Sequence, residues 1–116
     1  MPLHGLIAAV HSPFHTNGDL ALDAVEAQCG VLLRQGLSGI FVCGSTGESH
    51  SLNVDERCTL TERWAQVLQG TPLQLIVHVG SNCLRDSEAL ARHARRMKAV
   101  AISAQAPSYF KPKSVA

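Results

Sequence analysis

The chain of 116 residues has the length of one domain, and its hydrophobic content of 46% is enough for an apolar core. Ten basic residues stand against nine acidic ones, so the charge gives no reason to expect a nucleic-acid or membrane partner. The longest apolar runs are too short to span a bilayer, and the start lacks the basic n-region and cleavage pattern of a signal peptide.

Cysteine and histidine usage argues against disulfides and metals. The four cysteines stand singly, without a Cys-x-x-Cys pair, which favours a reducing, cytoplasmic compartment. Six histidines are scattered, and Pro13 lies between His11 and His15, so these two do not share a helical face. We therefore expect no metal site and no cofactor. His78, inside an apolar run, is interpreted as a core histidine with a hydrogen bond.

The first β/α unit begins with an apolar run at residues 5–10, which predicts a strand that ends before Pro13. A helix is predicted to begin at Asp23, with Glu26 as its capping-box partner, and to end at Gly36. Apolar residues at helical spacing predict its buried face, and they are Val25, Cys29, Leu32 and Leu33.

Residues 40–43 predict a second strand, buried on both faces, that leads directly into Gly44-Ser45-Thr46-Gly47-Glu48. Parallel α/β proteins place ligands at the carboxyl ends of strands. Two glycines and two hydroxyls form a turn whose N–H groups can converge on a small carboxylate or phosphate. A connecting loop without a ligand remains the open alternative. Glu48 is interpreted as a structural carboxylate that binds N–H groups of the loop or helix.

Two further helices and strands follow. The second helix is predicted to begin at Asn53, with Glu56 at its third position, and to end before Gly70. Its predicted buried face consists of Leu60, Trp64, Val67 and Leu68. Residues 75–79 predict a third strand, a helix follows to about Met97, and residues 100–104 predict a fourth strand. Gly80-Ser81-Asn82 after the third strand is interpreted as a second polar turn, and residues 107–112 as a third loop on the same face.

The βαβαβαβ order repeats about every thirty residues and predicts a parallel sheet. A small doubly wound sheet and the first half of a (β/α)8 TIM barrel both fit this order. A whole barrel needs about 250 residues, and the chain stops after a strand with no covering helix. We therefore expect residues 1–116 to be an N-terminal portion, apparently truncated, with β1–β4 and three helices.

No common catalytic motif explains the Gly44–Gly47 turn. Cys43 stands where a nucleophile elbow needs glycine, and no lysine follows as in a P-loop. The phenol of Tyr109 either donates to a ligand or packs. Lys111 and Lys113 flank Pro112 and are interpreted as solvated, whereas amines that form Schiff bases are desolvated.

With these residues assembled, the chain resembles the N-acetylneuraminate lyase/dihydrodipicolinate synthase family. The likeness covers essentially the whole chain, and Gly-Ser-Thr-Gly-Glu after a strand is its most specific mark; serine in the second position leans toward the neuraminate lyase branch. Further matching segments are Gly-Leu-Ile-Ala-Ala-Val-His-Ser-Pro-Phe from Gly5, Ser-Leu-Asn-Val-Asp-Glu-Arg from Ser51, Ile-Val-His-Val-Gly from Ile76, and Ala-Pro-Ser-Tyr-Phe from Ala106.

The resemblance implies a (β/α)8 barrel, usually a homotetramer, that works as a class I aldolase on pyruvate and a sugar acid or aldehyde. It implies that Ser45 and Thr46 hold the carboxylate of the 2-keto acid and that the Ser45 hydroxyl joins a proton relay. Tyr109 matches the tyrosine that one subunit lends to its neighbour's relay. The family's Schiff-base lysine lies in later strands, which this sequence does not contain. The resemblance also implies a left-handed position before the fourth strand, where Lys98 replaces the family's usual glycine.

Three functions follow as hypotheses. The parent activity is a pyruvate-dependent carbon–carbon lyase, for which this chain alone lacks the nucleophile. The second is a non-catalytic half-barrel that self-associates or partners a full-length subunit, because its edge strands would be open. The third is an independent flavodoxin-like anion binder.

Overall fold

The computed structural model describes residues 2–114. Within them, strands and α-helices alternate, and a short 3-10 helix, Ser49–Ser51, follows the second strand. The elements are β1 (Ile7–Ala9), α1 (Ala24–Arg34), β2 (Gly39–Val42), α2 (Val54–Val67), β3 (Gln74–His78), α3 (Leu84–Arg96) and β4 (Ala101–Ser103). The predicted order is confirmed, although β1 and β4 are shorter than predicted. Of the helices in residues 2–114, none combines the length and apolar character needed to cross a bilayer.

The strands are all parallel and lie side by side in chain order, β1-β2-β3-β4. A doubly wound sheet reverses direction from an interior first strand, and this sheet does not. Its order therefore excludes the doubly wound alternative, and with it the flavodoxin-like hypothesis. Successive neighbours are what consecutive units of a (β/α)8 barrel produce, so the barrel-type prediction is confirmed.

The core lies between one face of the sheet and the helices. The central strands β2 and β3 direct alternate residues to this face, where α2 contributes Leu60 and Trp64, both fully buried. The other members with less than 3% exposure are Val25, Ile40, Val42, Cys43, Val77 and Ala94. The opposite face carries Phe41, Ile76 and His78. Because β2 and β3 are covered on both faces, they read as continuous apolar runs.

The helix starts show one correct and one wrong prediction. At α2 the capping box is confirmed, because the Asn53 side chain accepts from the Glu56 N–H and the Glu56 carboxylate accepts from the Asn53 N–H. At α1 no capping box forms, since Asp23 has helical dihedrals (φ −64°, ψ −25°) and makes no side-chain cap bond. The first N–H groups of α1 bond instead to carbonyls of the preceding turn, including Ala24 to Ala21 at 3.0 Å.

Two helices end in the same left-handed turn. After α1, Gly36 has φ +71°, its N–H bonds to the Leu33 carbonyl, and the next N–H bonds to the Leu32 carbonyl. After α3, Lys98 occupies the equivalent position with φ +61°, as the sequence predicted.

Leu33 is 38% exposed, so the prediction that it is buried is wrong. It lies about 80° around the helix from Val25, at the margin of the buried stripe.

Candidate functional site

The loop after β2 has a tightly fixed backbone. Cys43 and Glu48 bracket it with left-handed φ angles of +62° and +57°. A Cβ at Gly44 would lie 2.3 Å from the Phe41 ring, and a Cβ at Gly47 would lie 3.1 Å from the Cys43 backbone. Both contacts favour glycine, because a side chain at position 44 would displace the Phe41 ring, and one at position 47 would require the Cys43 backbone to move by a few tenths of an ångström. Glu48 is exposed and makes no side-chain cap bond, so the prediction that it binds N–H groups is wrong.

The middle of this loop presents unused donors. Ser45 and Thr46 are both exposed. Among the hydrogen bonds within residues 2–114, none has the backbone N–H of Ser45, Thr46 or Gly47 as its donor. Three consecutive N–H groups and two hydroxyls in one turn are suited to a carboxylate or phosphate, because each anionic oxygen accepts several hydrogen bonds. We call residues 44–47 the cradle.

The cradle is held by the strand ends on both sides of β2. From the segment after β1, the buried Ser12 hydroxyl donates to the Gly47 carbonyl at 2.6 Å. From β3, the buried His78 ring bonds through Nδ1 to the Cys43 carbonyl at 3.0 Å. From the loop after β4, Gln105 Oε1 accepts from the Ser45 hydroxyl at 3.3 Å.

A buried arginine completes this support from α2. Arg57 is 5% exposed, and its guanidinium donates to the carbonyls of Gly80 at 2.8 Å and His78 at 2.7 Å. No carboxylate forms an ion pair with it within residues 2–114. Burial therefore lowers the pKa of Arg57, and burial together with the Arg57 charge lowers the pKa of His78. Burial raises the pKa of the Cys43 thiol to about 11, so this cysteine is not a ready nucleophile.

The loops after β3 and β4 are joined directly. The Asn82 side chain accepts from the Ser108 N–H at 2.8 Å and donates to the Ser108 hydroxyl at 3.0 Å. A cleft of about 440 Å³ lies beside the cradle, and Arg57, Asn82 and Gln105 are among its lining residues. Within residues 2–114, no three histidine, cysteine or acidic side chains group in a way that would hold a metal ion.

The predicted site residues do not all meet. Ser45 and Thr46 lie together in the cradle, while Tyr109 is 83% exposed and stacks edge-on with Phe110 at 4.8 Å. No described hydrogen bond joins Tyr109 to Ser45. Lys111 and Lys113 are exposed, as predicted.

Sequence reasoning gave no role to three residues that support the cradle: Ser12 contacts Gly47, Gln105 contacts Ser45, and Arg57 contacts the carbonyls of His78 and Gly80. Arg57 precedes Leu60 and Trp64 by three and seven residues, so helical periodicity already placed a charged residue on the buried face of α2. Gln105 carried no comparable signal, because only the register of β3 and β4 brings it to Ser45.

The fold and the site together define the class: an N-terminal part of a (β/α)8 barrel, with an anion-receptive loop at the carboxyl end of β2. The sequence matches the model of the dihydrodipicolinate synthetase family over residues 2–115. The chain belongs to this family.

Individual relatives agree with this assignment. The chain is 45% identical over 111 residues to N-acetylneuraminate lyase of Danio rerio, covering 95% of this chain and 36% of the relative. Among solved structures, N-acetylneuraminate lyase of Proteus mirabilis superposes with a TM-score of 0.93 at 39% identity, covering 97% of this chain and 38% of that one. Dihydrodipicolinate synthase of Aquifex aeolicus gives 0.88 at 28% identity, covering 96% and 37%. The chain therefore spans just over a third of the length of these relatives.

Proposed function

We propose that this chain forms the carboxylate-binding part of a pyruvate site in a carbon–carbon lyase of N-acetylneuraminate lyase or dihydrodipicolinate synthase type. The observation that carries the proposal is the cradle, whose three consecutive N–H groups have no partner within residues 2–114. A 2-keto acid carboxylate placed there accepts from these N–H groups and from the Thr46 hydroxyl, and it also accepts from the Ser45 hydroxyl once the single proton of that group leaves Gln105 Oε1. Such fixed donors bind and orient the keto acid without rearranging during the reaction.

The family resemblance assigns two further roles, which we include in the proposal. The Ser45 hydroxyl joins a proton relay, and Tyr109 joins the relay of a neighbouring subunit in a homo-oligomer. The 83% exposure of Tyr109 and the absence of a described hydrogen bond to Ser45 fit a side chain that acts outside its own chain. The four cysteines are free, which fits a reducing, cytoplasmic location.

Schiff-base chemistry is not expected from the chain alone. All three lysines, Lys98, Lys111 and Lys113, are exposed. None has the desolvated pocket in which reactive amines are found. Incubation with pyruvate and borohydride should therefore give no covalent adduct by mass spectrometry. A stoichiometric adduct would refute the assignment of the nucleophile to a part of the enzyme outside this chain.

The cradle itself is tested by amide NMR of the labelled chain. Added pyruvate should shift the signals of Ser45, Thr46 and Gly47, while methyl pyruvate, which has no carboxylate, should leave them unchanged. Thr46→Ala should weaken binding of pyruvate, and Ser51→Ala, at an exposed serine outside the cradle, should not. Shifts that are absent with pyruvate, or equal for the ester, would show that the cradle does not bind the carboxylate.

A second candidate function is association without catalysis, either with another copy or with a full-length subunit. The open edges of the sheet favour it, because Leu6 beside β1 is 74% exposed and Ile102 of β4 is 52% exposed. Unpaired parallel edges and exposed apolar side chains both promote association. Sedimentation equilibrium should show a dimer or larger species, and a stable, folded monomer at all concentrations would contradict this candidate.

A further inference from the structure

Three hydrogen bonds form a continuous path from β2 through β3 to the loop after β4 and back to the cradle. The His78 ring bonds to the Cys43 carbonyl through Nδ1 at 3.0 Å and to the Gln105 N–H through Nε2 at 3.2 Å. The side chain of Gln105 then accepts from the Ser45 hydroxyl at 3.3 Å. The path starts at the Cys43 carbonyl, two residues before Ser45, and ends at the Ser45 hydroxyl. His78 therefore connects the backbone next to the cradle to a side chain within it.

These partners require one protonation state of the His78 ring. A carbonyl oxygen only accepts, so Nδ1 must carry a proton to donate to Cys43. A backbone N–H only donates, so Nε2 must carry an unshared pair to accept from Gln105. The ring is therefore the neutral tautomer with its proton on Nδ1. Protonation would put a second donor at Nε2, facing the Gln105 N–H, and this contact would be lost.

We propose that His78 is a positioning residue for the cradle: its neutral ring fixes Gln105, and Gln105 fixes the Ser45 hydroxyl where the keto acid carboxylate binds. The inference rests on the proposed function and extends it to a residue that does not touch the substrate. The Ser45 hydroxyl has one proton, which Gln105 Oε1 accepts in the ligand-free chain. When the carboxylate binds, the Gln105 amide turns, and its NH2 group, which donates to no residue within 2–114, donates to Ser45 Oγ. The hydroxyl proton is then directed at the carboxylate.

The surroundings of the ring keep it neutral at physiological pH. From α2, the Arg57 guanidinium lies 3.3 Å from Nδ1. From the 3-10 helix, His50 adds a like charge when protonated. The Cys43 thiol, directly after β2, is neutral. From the loop after β4, the group bonded to the ring is the Gln105 N–H. Asp86 of α3 lines the same cleft as the ring and is the acidic group on that side.

The pH dependence of pyruvate binding distinguishes positioning from simple charge. Protonating histidines adds positive charge, which by itself strengthens binding of an anion. Loss of the Gln105 contact has the opposite effect, and we expect affinity to fall by about five- to tenfold as the His78 ring is protonated, the equivalent of one hydrogen bond. Pyruvate affinity is measured from the Ser45 and Thr46 amide shifts, and ring titration from histidine NMR of the same sample.

Paired variants separate the two bonds of the ring. In His78→Asn the amide NH2 can replace Nδ1 toward Cys43, but no atom replaces Nε2, so affinity should fall at every pH. In His78→Gln the longer side chain returns an acceptor for the Gln105 N–H, so affinity should recover without pH dependence. Gln105→Met changes an exposed side chain. It should cost the same five- to tenfold and leave the His78 titration unchanged.

The matched control is His93→Gln, which removes a buried histidine that contacts Glu62 and lies outside this path. It should leave pyruvate affinity and its pH dependence as in the wild type. Wild-type affinity that stays constant or rises through the His78 titration, or normal affinity in Gln105→Met, would overturn the positioning role while leaving the cradle in place.

Failure of the proposed function itself gives a different pattern. If pyruvate shifts no cradle amide in the wild type, the carboxylate site is refuted. The ligand-free spectra then decide the inference. The positioning role is supported if the coupling between the Gln105 amide nitrogen and His78 Nε2 disappears as the ring is protonated and the Ser45 signal shifts over the same pH range. The positioning role is overturned if the Ser45 signal does not change during the His78 titration.

Discussion

Replacing Lys98 by glycine should stabilise the fold. Lys98 follows α3 with φ +61°, a region that costs a residue with a Cβ about 1–2 kcal/mol. The two bonds that close this turn, Lys98 to Arg95 at 3.0 Å and Ala99 to Ala94 at 3.1 Å, use backbone atoms that glycine keeps. The greater freedom of glycine in the unfolded chain opposes this gain by about 0.4–1 kcal/mol. The net gain for Lys98→Gly is about 0.5–1 kcal/mol, or about 2–6 °C in Tm.

Urea unfolding followed by the fluorescence of Trp64, the one tryptophan and fully buried, measures this change. The midpoint should rise while the slope m stays constant. The reciprocal variant is Gly36→Lys, which places a lysine in the equivalent turn after α1, at φ +71°. A Cβ at Gly36 meets nothing within 4 Å, so only backbone strain should act, and stability should fall by a similar amount. The strain argument would be refuted if Gly36→Lys left the free energy of unfolding unchanged or if Lys98→Gly lowered it.

Three further predictions concern caps, thiols and pH. Asn53→Ala should cost about 1 kcal/mol by removing the capping box of α2, whereas Asp23→Ala, which loses no cap bond, should stay within about 0.5 kcal/mol in the same urea assay. At pH 8 a thiol reagent should modify exposed Cys83 at once, and Cys43, with its pKa of about 11, only after unfolding; early peptide-mapped labelling of Cys43 would contradict its burial. Because the pKa of His78 is lowered in the folded state, the unfolded state binds more protons, and the free energy of unfolding should be highest above about pH 6.5 and fall below it. If this decline is equally steep in His78→Gln, another group causes it.

The sequence predicted well those features that depend on local order. Continuous apolar runs identified β2 and β3 because both faces of these strands are buried. The Asn53–Glu56 spacing identified the start of α2, and the departure from glycine at Lys98 identified a left-handed turn. The same reasoning failed at Asp23, because carbonyls of the preceding turn bind the helix N–H groups before a side chain is needed.

The support of the cradle was not predictable from local patterns. Arg57 and His78 are 21 residues apart, and His78 and Gln105 are 27 apart. Their contacts depend on strand register, which determines which side chains meet at the end of the sheet. The cradle itself was recognisable as a glycine- and hydroxyl-rich turn, but the residues that hold it, Ser12, His78 and Gln105, belong to three different β/α units.

Gly80 has a consequence for how sequences of this type can vary. Its φ lies outside the left-handed region, so the backbone conformation there is open to any amino acid. Its restriction is one of space, since a Cβ would lie 2.7 Å from His78 Nε2 and 3.0 Å from the Gln105 nitrogen. A side chain at position 80 and the His78–Gln105 hydrogen bond therefore exclude each other. Replacement of Gly80 should therefore be tolerated only in chains in which the hydrogen bond between His78 and Gln105 is already absent.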